Sequence, residues 1–202
     1  MLRAAVFDMG NVLLNFSHAR MCRQMADVCG CSHEDMRRWL FKEGWELAFE
    51  RGDISEDEFH RRIEARAGRN VDRDALRHAA SDIFVLNEPI VPVIDELRSS
   101  GLRLVLLSNT HAWHLAHVRE QFDVLDRFDE LVTSYSTGAV KPEDAIYSAA
   151  VQRLGCAPVE AFYTDDIEDY IAVGRRHGLQ AEVFIDVPTL KQQLAERGVS
   201  VE

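Results

Sequence analysis

The sequence predicts an α/β fold, a doubly wound parallel sheet carrying one inserted α-helical block. Two patterns predict the sheet. Five short apolar runs, at residues 2–8, 102–107, 131–134, 161–164 and 182–185, lack the sustained polar alternation of a half-exposed strand, which marks strands buried on both faces. After the first two runs, helical patterns with short joints separate the rest, the rhythm of parallel strands covered on both sides. A third pattern predicts the insertion, because residues 17–86 read as helices alone.

The first strand carries Ala4-Ala5-Val6-Phe7 and ends at Asp8. Within 17–86, amphipathic segments at 18–28, 34–41, 55–67 and 72–84 are expected to be helical, with no strand among them. Ser55 followed by Glu58 reads as a capping box, hydroxyl and carboxylate satisfying first-turn N–H groups. Trp39, Phe41, Trp45 and Phe49 are expected to pack between helices, and Cys29-Gly30-Cys31 to end a helix around a buried thiol. Beyond the insertion, residues 89–99 place Ile90, Val93, Ile94 and Leu97 at helical spacing and stop at Gly101. Residues 142–154 begin with Pro142 at an expected first-turn position and stop at Gly155. Helices over 170–177 and 189–197 stop at Gly178 and Gly198. Residues 1–16 and 87–202 therefore read as one α/β core, and 17–86 as a helical subdomain inserted after its first strand.

Composition narrows the function classes. With 202 residues, 47% hydrophobic and 28% charged, the chain has enough apolar surface to offset its ordering entropy, which excludes a disordered or low-complexity protein. The 34 acidic residues outnumber 23 basic ones, for a net charge of −11, the opposite of what phosphate-backbone binding needs, so nucleic acid is not an expected partner. No apolar run approaches the roughly 18 residues of a membrane span, and residues 1–16 lack the features of a secretion signal. Four cysteines are too few for a disulfide scaffold, so a reducing cytoplasm is expected, with the chain a monomer or homodimer.

The chemistry should sit beyond the carboxyl ends of the strands. There the sequence offers Asp8 with Gly10, then Ser108-Asn109-Thr110, then Lys141 in Gly138-Ala139-Val140-Lys141-Pro142, then Asp165-Asp166. A carboxylate, a hydroxyl beside an amide, an ammonium and an acidic pair at one rim suit a hard divalent cation held by oxygens, with a phosphate held by Ser108, backbone N–H groups and Lys141. Asp8 would then attack phosphorus, and cation and lysine would offset repulsion between two anions. The bland readings are that Asp8, Ser108 and the acidic pair merely cap turns and helices, and that Lys141 is a solvated loop lysine. His111, His114 and His117 recur every third residue and are expected on an exposed helix face.

In this order, the four pieces resemble the four motifs of the haloacid dehalogenase-like superfamily, most of whose members are Mg²⁺-dependent phosphatases with a Rossmann-like core. The helical insertion resembles that superfamily's cap. Phe7-Asp8-Met9-Gly10-Asn11-Val12-Leu13, Arg51-Gly52-Asp53-Ile54-Ser55 and Ser108-Asn109-Thr110 are similar to the branch of sugar-1-phosphate phosphatases and the epoxide hydrolase phosphatase domain. The resemblance implies Asp8 as nucleophile and Lys141 as its catalytic partner. It implies a phosphate held by Ser108 and Asn109 with help from Gly10 and His114, and Mg²⁺ held by Asp8, the Gly10 carbonyl, Asp166 and Asp165. The implied substrate is a small phosphorylated metabolite, a sugar phosphate in that branch.

Two departures qualify what is implied. Where most such phosphatases carry a second aspartate that protonates the leaving group, this chain has Gly10, and loss of such an acid typically removes about 10²–10⁴-fold in rate. That favours leaving groups of low pKa, such as an anomeric oxygen. The fourth motif also has Ile167 and Tyr170 where small polar residues are common. Two alternatives stay open: a 2-haloacid dehalogenase, which needs neither proton donor nor cation, and a non-catalytic member that binds a phosphorylated ligand.

Overall fold

The computed structural model describes residues 1–201. In chain order its elements are β1 (Ala4–Phe7), β2 (Leu14–Phe16), α1 (His18–Cys29), α2 (His33–Arg37) continued by a π-helical turn (Arg38–Lys42), α3 (Trp45–Arg51), α4 (Glu56–Ala67), α5 (Arg73–Ser81) and β3 (Phe84–Leu86). Then come α6 (Val91–Ser99), β4 (Arg103–Ser108), α7 (Ala112–Gln121), β5 (Glu130–Thr133), α8 (Ser134–Thr137), α9 (Asp144–Arg153), β6 (Ala161–Asp165), α10 (Glu168–Arg176), β7 (Gln180–Val183) and α11 (Val187–Ala195).

Five strands form one parallel sheet in the order β5-β4-β1-β6-β7, with β1 in the middle. The period-two alternation of a strand sends Ala5 and Phe7 into one apolar layer and Ala4 and Val6 into the other. Ile94 and Leu97 of α6 and Leu190 and Leu194 of α11 belong to the first layer. Ile146, Tyr147 and Ala150 of α9 and Ile171 of α10 belong to the second. Both faces are therefore covered, which is why the strands read as unbroken apolar runs.

The helices α1 to α5 follow β2 and return to β3. They pack on one another, and they meet the sheet domain where α5 lies on α7 and α3 on α8. Several local expectations need correction. A strand does occur near the end of this block: β3 pairs antiparallel with β2, matching Leu14 to Leu86 and Phe16 to Phe84, and the helix expected to run to residue 84 stops at Ser81. A three-residue ladder is too short to leave a periodic signal. The chain also forms α3, a helix of seven residues between Gly44 and Gly52, which the patterning did not single out. Only half of the capping box forms. Ser55 Oγ accepts from Glu58 N–H at 3.2 Å, but the Glu58 carboxylate turns forward to accept from Arg62 Nε at 2.8 Å. Pro142 lies before its helix, whose N-cap is Glu143, because the preceding residue is tied across to β4 as described below.

Candidate active site

Asp8 directly follows β1, all four of whose residues are buried, so a rigid strand aims it at the carboxyl edge of the sheet. Its Oδ1 accepts from Met9 N–H at 2.7 Å and lies 2.8 Å from Lys141 Nζ. Its Oδ2 has no hydrogen-bond partner among the described residues. Asp165, the last residue of β6, is fully buried. Its Oδ2 accepts from Lys141 Nζ at 2.6 Å and from Tyr163 OH at 2.7 Å, and its Oδ1 accepts from Ile167 N–H at 3.0 Å. One buried ammonium is thus shared by two carboxylates. Asp166 is less buried and accepts from Asn11 Nδ2 at 2.9 Å. One carboxylate oxygen from each of Asp8, Asp165 and Asp166 lies within 4.8 Å of the others.

The electrostatics follow from that crowding. Burial pushes Asp8 up to about 7 against the pull of Lys141, and the Asp165 charge adds to the rise. Burial alone would lower Lys141, but Asp8 and Asp165 outweigh it and hold the ammonium above its ordinary value. The lysine stays charged.

Asn109 joins two loops. Its Oδ1 accepts from Lys141 N–H at 2.7 Å and its Nδ2 donates to the Lys141 carbonyl at 3.1 Å, so the end of β4 fixes the lysine's backbone. Ser108, expected at the phosphate, is 1% exposed and lies outside the cavity lining, its hydroxyl 3.4 Å from the Asn109 carbonyl. Thr110 does line the cavity, and its Oγ1 is buried without a partner. Neither Ser108 nor Asn109 caps the next helix. That position is His111, whose Nδ1 accepts from His114 N–H at 3.3 Å.

Above these groups lies a cavity of about 190 Å³. Asp8, Gly10, Asn11, Asn109, Lys141, Asp166, Ile167 and Tyr170 line it from the sheet side. Phe16, His18, Glu50, Phe84 and His114 complete it, most of them from the helical block and its two-stranded stem. His114 is among the residues that line the cavity. The exposed histidine face is not found: His111 is 1% and His114 5% exposed. The cause is α3, which lays Phe49 on the His111 ring at 4.3 Å and brings Glu46 Oε1 within 3.4 Å of His111 Nε2. Burial pushes His111 down to about 3 and His114 well below its ordinary range, while burial raises Glu46. Because His111 Nδ1 accepts an N–H, the proton of the neutral ring is on Nε2, 3.4 Å from Glu46 Oε1 but not hydrogen-bonded to it. The neutral His111 therefore has no lone pair left for a cation.

A family model described as haloacid dehalogenase-like hydrolase matches residues 2–178. The chain belongs to that family. This haloacid dehalogenase-like hydrolase is 28% identical to a phosphatase of Mycobacterium tuberculosis, over 89% of its own length and 86% of the other's. It is 25% identical to the D-ribitol-5-phosphate phosphatase of Bacteroides thetaiotaomicron, over 89% of this chain and 90% of that one. A crystal structure of a HAD family enzyme from B. thetaiotaomicron, a magnesium complex, superposes with a TM-score of 0.82 at 25% identity, covering 94% of this chain and 98% of that one.

Four cavity residues of this hydrolase escaped the sequence reading: Phe16, His18, Glu50 and Phe84. Glu50 had a signal, since it stands next to the Arg51-Gly52-Asp53-Ile54-Ser55 segment and one helical turn after Glu46. Two acids on the face of a helix that also buries Phe49 have no business there as solvated charges.

Proposed function

We propose that this hydrolase is a cytoplasmic Mg²⁺-dependent phosphatase acting on a small phosphorylated metabolite of the sugar-phosphate kind, through an aspartyl-phosphate on Asp8. The observation that carries the reading is the pairing of Asp8 with Lys141 inside a cluster of three carboxylates. Halide displacement from carbon has no use for such a cluster, and a dianionic phosphoryl group does.

The donor set fits the ion. Three carboxylates bring oxygens within 4.8 Å of one another and a single ammonium contacts only Asp8 and Asp165, so negative charge is left uncompensated, and oxygen donors of this kind suit a hard divalent cation. Asp8, Asp166, Asp165 and the Gly10 carbonyl would hold it, and when bound it would supply neutralising charge for the phosphoryl oxygens and for Asp8. The chain's own groups do the rest. Asp8 Oδ2, with no competing hydrogen bond, attacks phosphorus while Met9 N–H and Lys141 hold Oδ1. Lys141 remains charged and steadies the phosphoryl group as it transfers. Asn109 keeps that lysine in place, and Thr110 lines the phosphate end of the cavity, with Ser108 buried behind it. His114 contacts the substrate from above. Residues 17–86 act as a cap over a core of 1–16 and 87–202, selecting substrate and excluding water. The cavity of about 190 Å³ suits a small metabolite. All four cysteines are free, in keeping with a reducing compartment, and no described helix is long and apolar enough to cross a membrane.

The test is phosphate release from a panel of phosphorylated metabolites, with Mg²⁺ and with chelator. Release that needs Mg²⁺ and vanishes in Asp8→Asn is expected. Undiminished release by Asp8→Asn, or chloride release from 2-chloropropionate with no phosphatase activity, ends the reading.

A further inference from the structure

We propose that Glu50, on α3 of the helical block, is the general acid–base of the Asp8 site. The inference rests on the phosphatase reading and adds the group that reading lacks. Attack by Asp8 expels an alkoxide, which needs a proton, and water must later lose one to attack the phosphoryl-enzyme.

Position 10 cannot supply the group. It is glycine, and a Cβ built there would stand 2.8 Å from Cε1 of the Phe16 ring. An aromatic side chain from the stem of the insertion fills the space, so a carboxylate at position 10 is excluded unless Phe16 moves.

Two other groups at the cavity are hydrogen-bonded elsewhere, and two more are packed by ring contacts. His114 Nε2 contacts the Ala80 carbonyl at 3.1 Å. Asp166 is bonded to Asn11, and the Tyr170 ring faces the Lys141 ammonium at 5.1 Å. His18 is held between the rings of Phe16 and Phe41, at 4.9 and 4.8 Å. Glu50 lines the same cavity, near enough to Asp8 and Lys141 for its carboxyl to feel both charges, and that carboxyl has no hydrogen-bond partner among the described residues. It comes from the insertion while Asp8 comes from the sheet, and a leaving oxygen in line with the attack departs away from Asp8.

Glu50 is also held firmly. Ser134 Oγ accepts from Thr110 N–H at 2.9 Å and donates to the Glu50 carbonyl at 2.6 Å, tying the end of α3 to the loop after β4. The next residue, Arg51, grips Glu143 through two contacts of 2.6 and 2.8 Å. Gly52 then turns the chain with a φ of +80°, and a Cβ there would stand 2.7 Å from the Tyr135 carbonyl oxygen. Only glycine permits that close approach. Burial, with the charges of Glu46 and Asp8, pushes the Glu50 carboxyl up to about 8 against the pull of Lys141, so it enters the reaction protonated at neutral pH.

The proton count closes. In the first step the bond from Asp8 oxygen to phosphorus forms, the bond to the leaving oxygen breaks, and Glu50 gives its proton to that oxygen. In the second, the Glu50 carboxylate takes a proton from water as the water oxygen attacks phosphorus. The acyl phosphate bond breaks, inorganic phosphate leaves, and Asp8 is again a carboxylate with Glu50 protonated. With this acid in place, leaving groups of high pKa are accessible, so ordinary alkyl phosphates join the anomeric ones as substrates.

The test compares wild type, Glu50→Gln and Glu50→Asp on glycerol phosphate, an alkyl ester, and on p-nitrophenyl phosphate, whose leaving group needs no proton. Glu50→Gln should lose about 10²–10⁴-fold in kcat/KM on the alkyl ester and little on the aryl ester. On the aryl ester its kcat should fall, with a nitrophenol burst equal to the enzyme present and a phosphoryl adduct seen by intact mass. Glu50→Asp should recover part of the alkyl activity. Thermal melts check that each variant is folded. An equal loss on both esters, or no loss and no burst, overturns the role of Glu50 while leaving the phosphatase reading intact. Wild-type enzyme that releases phosphate from neither ester, nor from any metabolite of the panel, overturns both.

Discussion

At Asp8 two demands conflict. A nucleophile must be ionised, yet the site that positions it removes water and pushes its carboxyl up to about 7. Lys141 offsets part of the cost, and Asp165 competes for the same ammonium. Asp8→Asn keeps the shape and removes the nucleophile, so kcat/KM for phosphate release should fall by about 10³-fold or more while the melting temperature shows a folded protein. The sign of the pH dependence follows from the raised value. The ionised fraction of Asp8 falls as pH drops through about 7, and with it the rate. A nearby cation favours the charged form and typically lowers a carboxyl by about 1–3 units. The acid limb of kcat/KM should therefore move to lower pH between limiting and saturating Mg²⁺. A limb that stays put would show that no cation sits beside Asp8. Gly10 and Phe16 teach a related lesson: the missing aspartate was visible in the sequence, but the ring that fills its place comes from the next strand and was not.

Helices α3 and α7 show how an element's burial is decided by its neighbour. Spacing alone put His111, His114 and His117 on an exposed helix face. It could not register that α3 would lie across the start of α7 and seal His111 beneath Phe49. The burial has a measurable cost in acid. His111 is depressed from 6.5 to about 3, so between those values the unfolded chain takes up a proton that the folded one refuses. Stability is fully present above the unfolded value and is lost as pH falls toward the folded one, at about 1.4 kcal/mol per pH unit. His111→Asn keeps a side chain able to cap α7 and removes this titration, so its melting temperature should decline less steeply than wild type from about pH 6 to about pH 4. Parallel slopes would contradict the assignment. Packing of α10 on β6 is tested at Gly174, where a Cβ would stand 2.5 Å from Cδ1 of Tyr163. Gly174→Ala should cost about 1–3 kcal/mol by denaturant unfolding. It should also lower activity, because the Tyr163 hydroxyl that must shift is bonded to Asp165.

For the molecule as a whole, the insertion and the sheet domain meet at a few identifiable ties: Ser134 to Glu50, Arg51 to Glu143, and Trp113 Nε1 donating to Glu56 at 2.7 Å. The Arg51–Glu143 pair is partly solvated, 27% and 41% exposed, so it adds at most about 1 kcal/mol to stability. Its value is positional. Arg51→Ala should leave the melting temperature nearly unchanged and reduce kcat/KM by about tenfold or more, since small displacements of reacting groups are costly. A variant equally affected in both would make the pair a plain stability element.

What the sequence determined by itself is the sheet and the order of groups along its rim. Apolar runs and glycine stops are local signals, and parallel strands necessarily bring their carboxyl ends to one edge. Asp8, Lys141, Asp165 and Asp166 could therefore be expected together from chain order alone. What only the tertiary structure decided is everything that depends on how the helical block settles on that edge: Glu50 in the cavity, Phe16 against Gly10, the sealed His111 and His114, and Ser108 out of the cavity lining. Those contacts join residues far apart in the chain through side-chain packing, and packing leaves no periodic trace in either partner's own stretch of sequence.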